Sequence, residues 1–116
     1  RLYPWERRSD MVIFGGTNIY PAEIEMVLTQ CPGVKDCAVF GIPDDDFGES
    51  LAAAVERMPE SQVTPEEIRS YLLERLAKFK VPERIDFHES LPREDSGKIF
   101  KRRLRDPFWQ NAGRKI

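Results

Sequence analysis

Hydrophobic residues recur along the chain at two different spacings, and each spacing predicts a different type of secondary structure. In PAEIEMVLTQCPG, apolar residues recur from Ile24 to Cys31 at the three- and four-residue intervals of an amphipathic helix. The proline and glycine that follow would end this helix. In ERIDFHES, the apolar residues Ile85 and Phe87 alternate with polar neighbours, as in a half-buried strand.

The clearest helix start lies at Thr64, in TPEEIRSYLLERLAKFK. Pro65 occupies the first turn, and Glu67 stands at the position that completes a capping box with Thr64. Apolar residues between positions 68 and 76 then fall on one face. The segment therefore predicts a helix that begins at Pro65 and buries that face.

Other segments have the residue types of strands and turns. VKDCAVFGIP is rich in β-branched and aromatic residues, and LAAAVERM is the candidate for the next strand although its alanines favour a helix. DMVIFGG predicts a strand that enters a tight turn at Gly15 and Gly16, where glycine permits positive φ, and TNIY is the return strand. A short basic helix is predicted around residues 100–105, followed by an aromatic tail.

The predicted order is hairpin, helix, strand, strand, helix, strand, helix. It indicates a small α+β domain in which a three-stranded sheet plus a short β-hairpin is covered by helices. The length of 116 residues suffices for one domain with one modest core. The apolar fraction of 41% is that of a folded globular chain rather than a disordered one.

Composition also indicates the cellular compartment of the protein and excludes some classes of protein. No apolar run approaches the ~20 residues of a transmembrane helix, and no signal peptide is visible at residues 1–10. Cys31 and Cys37 have no further cysteine or histidine nearby in the sequence that would complete a metal site. The sequence permits a disulfide between them but does not require one. We expect reduced thiols in a cytoplasmic protein. Because the chain lacks an initiator methionine, we expect it to be a fragment or a processed form.

Charge is distributed unevenly. From Lys98 to Ile116 there are seven basic residues and one acid, a net +6, whereas the remaining residues have a net charge of −8. Such asymmetry can indicate an anionic partner, and it excludes neither a nucleotide nor another protein domain. The overall charge of −2 and the lack of interleaved aromatic residues argue against nucleic acid as the partner of the cluster Lys101–Arg105.

The stretch LPREDSGKIF places Lys98 directly after Ser96 and Gly97. Glycine lets the backbone pass close to a ligand, and lysine is a compact cation suited to phosphate or carboxylate. The stretch lacks the spacing of a nucleotide P-loop, so the residues alone leave open a surface loop or a mobile loop that brings a cation to an anion. Gly15 and Gly16 likewise allow a simple hairpin or a surface along which a thin ligand passes.

Four stretches in order resemble the C-terminal domain of the adenylate-forming enzymes, which include acyl-CoA synthetases, luciferases and adenylation domains of peptide synthetases. They are RRSDMVIFGGTNIYPAEIE, CPGVKDCAVFGIPDDDFGE, LAKFKVPERI and LPREDSGKIFKR. The wording GGTNIYPAEIE is most similar to acid–CoA ligases. The resemblance implies that an acid and Mg·ATP give an acyl-adenylate and pyrophosphate, and that CoA then takes the acyl group and releases AMP.

The resemblance also implies a division of the chain. Residues 1–9 would be a hinge and the end of a linker from an N-terminal domain, residues 10–106 the C-terminal lid domain, and residues 107–116 a tail. The implied partners are that N-terminal domain, the carboxylic acid, ATP and CoA. ATP, Mg²⁺ and CoA would act in the full-length enzyme, and none is expected on the isolated domain, which we expect to be inactive.

By the same resemblance, several positions have roles in adenylation and in the movement between steps. Lys98 matches the lysine that approaches the carboxylate of the acid and the α-phosphate of ATP. Arg7 matches an arginine near the nucleotide. Ser9 aligns with the hinge, where many relatives have Asp or Lys, and Asp10 follows it. No metal ligand is implied in this part of the enzyme.

Other positions match residues of the thioester step. Gly15 and Gly16 match the loop that lines the tunnel of the pantetheine arm. Phe79 matches an aromatic residue that lies against the CoA adenine in some relatives. Those relatives have basic residues two and four positions later, whereas this chain has Val81 and Glu83.

Two alternatives to an acid–CoA ligase stay open. An adenylation domain that loads a carrier protein would usually continue into a carrier domain after the Lys98 motif, whereas eighteen residues follow Lys98 here. A non-catalytic interaction domain would use the basic C-terminal segment as a docking surface. The sequence does not name the acid, because the acid pocket of this family lies in the N-terminal domain.

Overall fold

Helices and strands are arranged around one mixed sheet. The computed structural model of the protein describes residues 11–46 and 48–115, with residues 111–115 described by their backbone only. The strands are β1 (Val12–Phe14), β2 (Thr17–Ile19), β3 (Val34–Asp44), β4 (Gly48–Arg57) and β5 (Arg84–His88). The helices are α1 (Pro21–Leu28), α2 (Pro65–Leu73) and α3 (Lys101–Lys115), with a turn of 3₁₀ helix at Lys78–Lys80.

The sheet is built on the long antiparallel pair β3–β4, which runs from Val34 opposite Arg57 to Asp44 opposite Gly48. Strand β5 lies parallel to β4 along its other edge, and β1 reaches that same edge where Phe14 pairs with Gly48. The predicted α+β fold is confirmed. The predicted three-stranded sheet and β-hairpin are joined through β4, so that the described residues form one five-stranded sheet.

Strands β3 and β4 are buried on both faces. One face includes Val39 and Val55 and packs against α1 and α2. The opposite face includes Phe40 and Ala52 and packs against α3, where the ring of Phe108 lies 6.1 Å from that of Phe40. This double burial explains why the alanine-rich sequence of β4 forms a strand, since packing on both faces outweighs the helix preference of alanine.

Helix α2 begins at the predicted cap. The hydroxyl of Thr64 accepts a hydrogen bond from the Glu67 N–H at 3.2 Å, and the Glu67 carboxylate accepts one from the Thr64 N–H at 2.9 Å. The predicted capping box is therefore confirmed. The helix ends before the last apolar positions of the pattern, because Ala77 is extended and the chain then turns so that Lys80 pairs with Glu23 of α1 at 2.8 Å.

Helix α3 continues well past the predicted residues 100–105 and contains Pro107. Proline lacks an N–H and usually interrupts a helix. Here Phe108 packs on the sheet, and the indole N–H of Trp109 donates to the carbonyl of Gly41 at 2.9 Å. These contacts to β3 hold the segment after the proline in place, and the local pattern does not reveal them.

Replacing Thr64 by alanine should lower the free energy of unfolding by about 1 kcal/mol, because the Glu67 N–H loses its acceptor. Urea denaturation measures this loss. Thr29→Ala is the matched control, since the Thr29 hydroxyl donates to the Met26 carbonyl at the end of α1 and caps no free N–H. That control should change stability by less than about 0.5 kcal/mol. Equal losses in the two variants would contradict the capping role.

Candidate functional site

Lys98 lies on a tight turn between β5 and α3. Arg93 and Ile99 form an antiparallel bridge at its base. Within the turn, the Glu94 N–H donates to the Lys98 carbonyl at 2.8 Å, and the Gly97 N–H donates to the Glu94 carbonyl at 2.8 Å. Gly97 has φ +95°, a conformation that favours glycine. The turn therefore has a defined backbone, and the exposed Lys98 amine has no ion-pair partner among the described residues.

The guanidinium of Arg93 connects this turn to the sheet. Its Nη1 donates to the Gly97 carbonyl at 3.1 Å, and its Nη2 donates to Asp36 Oδ2 at 2.7 Å. The same Nη2 lies 3.8 Å from Glu56 Oε1. The hydrogen bond with Asp36 raises the pKa of Arg93. Sequence reasoning missed these contacts because Arg93 and Asp36 are 57 positions apart, although both lie in stretches that carry the resemblance.

A second ion pair follows the turn. Lys101, at the start of α3, lies 2.8 Å from Glu25 Oε2 of α1. That same carboxylate oxygen accepts a hydrogen bond from the Val39 N–H on the outer edge of β3 at 2.7 Å. Lys98 thus lies between two cations in the sequence that are paired within the domain, whereas its own amine has no such partner in the described part of the chain.

Gly15 and Gly16 form the two-residue turn of the β1–β2 hairpin, closed by the pair Phe14–Thr17. Their φ values are +54° and +89°, as in the hairpin turns that require positive φ at both central residues. A Cβ added at Gly16 would meet nothing within 4 Å. Glycine is therefore needed here for the backbone conformation, and open space lies beside it.

A groove of ≈ 530 Å³ lies beside this hairpin, and Phe79 lines it with 40% of its surface exposed. Arg69 and Lys78 place cations at the same groove. The groove is completed by residues of β1, β4, α2 and the segment before β5: Phe14, Ser50, Leu51, Leu73, Val81, Pro82 and Glu83. Because Phe14 adjoins Gly15, the structure brings the glycine turn and Phe79 together on one side of the domain.

The Lys98 turn and the glycine hairpin lie at opposite ends of β4. The Lys98 turn is anchored at the pair Asp36–Glu56, whereas the glycine hairpin meets β4 at Gly48, at the other end of the strand. Gly48 and Glu56 are eight positions apart on β4, which corresponds to about 25 Å of strand. Ile99 of the Lys98 turn packs on the α3 face, and Leu51 in the groove belongs to the opposite face. Those predicted site residues that the structure describes therefore form two separate groups.

Three predicted site residues lie outside the described part of the chain: Arg7, Ser9 and Asp10. Among the described residues, no group of three or more His, Cys, Asp or Glu side chains is arranged to hold a metal ion. In the same part of the chain, no helix has the length and apolar content needed to cross a membrane.

The two cysteines are free and buried. Burial, with smaller contributions from the charges of Glu25 and Asp36, raises the pKa of the Cys37 thiol from 9.0 to about 12. Burial also raises the pKa of the Cys31 thiol. Both side chains are therefore protonated near neutral pH, and neither is suited to act as a nucleophile.

Comparison with known proteins gives a family and a position within longer enzymes. The family model of the AMP-binding enzyme C-terminal domain matches residues 23–98. A fatty acid–[acyl-carrier-protein] ligase, ScoC, from Streptomyces coeruleorubidus is 44% identical over 96% of this chain and 21% of its own length. A 2-succinylbenzoate–CoA ligase from Bacillus cereus is 49% identical over 90% of this chain and 21% of its own length.

Solved structures agree with this match. ATP-bound MatB from Rhodopseudomonas palustris superposes with a TM-score of 0.81 at 40% identity, over 85% of this chain and 20% of that one. The chain thus spans about a fifth of the length of the relatives it matches.

The raised pKa of Cys37 predicts a pH-dependent contribution to stability. A thiol that ionises at higher pH in the folded state than in the unfolded state stabilises the fold below pH 9, and that contribution is lost as pH rises from 9 towards 12. Between pH 8 and pH 10, the stability difference between the wild type and Cys37→Ala should shrink by about 1 kcal/mol. Urea denaturation at the two pH values measures it, and a constant difference would contradict the buried, protonated thiol.

Proposed function

The chain belongs to the family of AMP-binding enzyme C-terminal domains, and from that premise we propose that it is the lid of an acid–thiol ligase. In this proposal, a carboxylic acid attacks the α-phosphate of ATP, giving an acyl-adenylate and pyrophosphate. The thiol of CoA then attacks the acyl carbon and releases AMP. The observation that supports this assignment best is that the Lys98 turn and the glycine hairpin contact β4 at opposite ends, at Glu56 and Gly48, which are about 25 Å of strand apart.

Lys98 would serve the first step. Negative charge accumulates on the phosphoryl oxygens as the carboxylate attacks, and a cation placed there in advance stabilises it. Lys98 is suited to this role because it is exposed and has no ion-pair partner among the described residues, while Arg93 and Lys101 are paired inside the domain. Its amine therefore needs no internal ion pair to break before it meets the nucleotide.

The hairpin and groove would serve the second step. A thin pantetheine arm needs a path without side chains, and the open space beside Gly16 offers one. The exposed ring of Phe79 and the cations of Arg69 and Lys78 suit an adenine nucleotide with phosphates. Glu83 lies in the same groove and opposes anions, so the affinity for the CoA nucleotide should be modest.

A single rigid domain with two separate site groups must rotate if both are to reach one substrate. Lids of this kind complete an active site in turn for different steps. The hinge would lie at Ser9 or Asp10, and Arg7 would face the nucleotide. Mg²⁺ is expected with ATP, but the described residues offer no cluster to hold it, so the proposal places no metal ligand there.

The acid and the thiol acceptor are not specified by this domain. The relatives include a fatty acid–[acyl-carrier-protein] ligase and a 2-succinylbenzoate–CoA ligase at similar identity. Carrier-protein loading is therefore the second candidate function, and a thioester assay with CoA and with a phosphopantetheinylated carrier protein distinguishes them. A cytoplasmic location belongs to the proposal because both thiols are free.

Lys98→Ala in the full-length protein should slow acyl-adenylate formation by about 10²–10³-fold, the usual cost of losing one such electrostatic contact. Acid-dependent pyrophosphate exchange measures this step. With pre-formed acyl-adenylate, the same variant should make thioester at a near-normal rate, because Lys98 is then turned away. Arg102→Ala, which removes another exposed cation of the same segment, should leave both steps unchanged. A comparable loss in both steps of Lys98→Ala would contradict the assigned role.

Gly16→Leu should give the opposite pattern: pyrophosphate exchange largely retained and thioester formation lost. Gly97→Leu is a matched variant, since Gly97 has a similar φ of +95° and equally open surroundings but lies in the Lys98 turn. It should impair pyrophosphate exchange rather than thioester formation. If both leucine variants lose the same half-reaction, the division of roles between the two groups is wrong.

A further inference from the structure

One arginine side chain links the Lys98 turn to the sheet through both ends of its guanidinium. Nη1 of Arg93 holds the carbonyl of Gly97, which is the peptide group directly preceding Lys98, at 3.1 Å. Nη2 holds Asp36 on β3 at 2.7 Å. A shift of this guanidinium would therefore move the backbone from which the Lys98 side chain extends.

The sheet provides a receptor for that guanidinium. A bulge at Lys35 shifts the β3–β4 register, and after it Asp36 and Glu56 stand directly opposite each other. Two like charges in such a pair repel each other unless a cation lies between them. Arg93 occupies that place, and Lys35 lies 3.3 Å from the other oxygen of Glu56.

Glu56 is itself held in place. It is only 8% exposed, and its Oε1 accepts a hydrogen bond from the Leu91 N–H at 3.3 Å. The receptor for Arg93 thus combines a buried carboxylate with a more exposed one, both on the central strands. Arginine suits this place better than lysine, because a planar fork of donors can bind a carboxylate and a carbonyl at the same time.

We propose that Arg93 is a positioning residue for Lys98, fixing the backbone of the turn against the Asp36–Glu56 pair so that the Lys98 amine reaches the reacting phosphate. This inference rests on the adenylation role proposed for Lys98. Arg93 itself would touch neither the carboxylic acid nor ATP. Its contribution is geometric, and a displacement of about 1 Å at a reacting group can cost on the order of 10²-fold in rate.

A purely structural ion pair would behave differently, and a double-mutant cycle in the full-length protein separates the two cases. Arg93→Ala should slow pyrophosphate exchange by about 10–10²-fold and leave thioester formation from pre-formed acyl-adenylate near normal. In the Lys98→Ala background, Arg93→Ala should cause no further loss of exchange, because the group it positions is already absent. A multiplicative loss in the double variant would overturn the proposal.

Two further variants guard against a general loss of folding. Arg93→Lys keeps a charge beside Asp36 but cannot hold the Gly97 carbonyl as well, so its melting temperature should stay near that of the wild type while exchange falls. Arg84→Ala removes a comparable ion pair, with Asp86 at 2.8 Å, away from the turn and should leave exchange unchanged. Full exchange activity in Arg93→Lys would overturn the positioning role.

The outcomes also separate this inference from the function on which it rests. If Lys98→Ala slows pyrophosphate exchange but Arg93→Ala does not, the positioning role fails and the adenylation role stands. If Lys98→Ala itself catalyses pyrophosphate exchange at the normal rate, the adenylation role fails and the positioning role fails with it. Hydrogen exchange provides an activity-independent measure: the Gly97 and Glu94 amides should exchange faster in Arg93→Ala, and unchanged exchange at both would overturn the proposal.

Discussion

The burial of β3 and β4 on both faces determines the distances among all parts of the candidate site. Because helices cover both faces of this pair, the strands cannot shift without disrupting two sets of core contacts. The pair holds the Asp36–Glu56 receptor at one end and the contact with the glycine hairpin at the other. This packing keeps the Lys98 turn and the glycine hairpin at a fixed separation. A lid that presents each of them in turn by rotating requires such a fixed separation.

The fold was predictable from the sequence wherever the determining contacts are local. The Thr64 capping box and the Gly15–Gly16 turn depend on residues within a few positions of one another, and both were identified. The end of α2 and the continuation of α3 past Pro107 were not predictable, because they depend on long-range contacts such as Lys80–Glu23 and Trp109–Gly41. The strand conformation of the alanine-rich β4 likewise depends on its neighbours in space.

The candidate site likewise combines features that local sequence determines with features that depend on long-range contacts. Lys98 and the hairpin glycines could be chosen from short motifs, whereas the Arg93 contact and the Lys101–Glu25 pair join distant segments. The uneven charge of the chain is also explained in part by an ion pair within the domain. One cation of the basic C-terminal segment, Lys101, pairs with an acid of the rest of the domain. Lys98, by contrast, is exposed and has no ion-pair partner within the described ranges.

Rotation of the lid is tested most directly by the distance from each site group to the bound nucleotide in the full-length protein. Because Cys31 and Cys37 are buried, they should not compete within this domain for dyes attached at Ser96→Cys or at Thr17→Cys, and each dye can be paired with a fluorescent acyl-adenylate analogue. If the lid rotates as proposed, CoA should move the position-96 dye away from the nucleotide and bring the position-17 dye closer. Distances that do not change with CoA, or that change in the same direction, would contradict the proposed rotation.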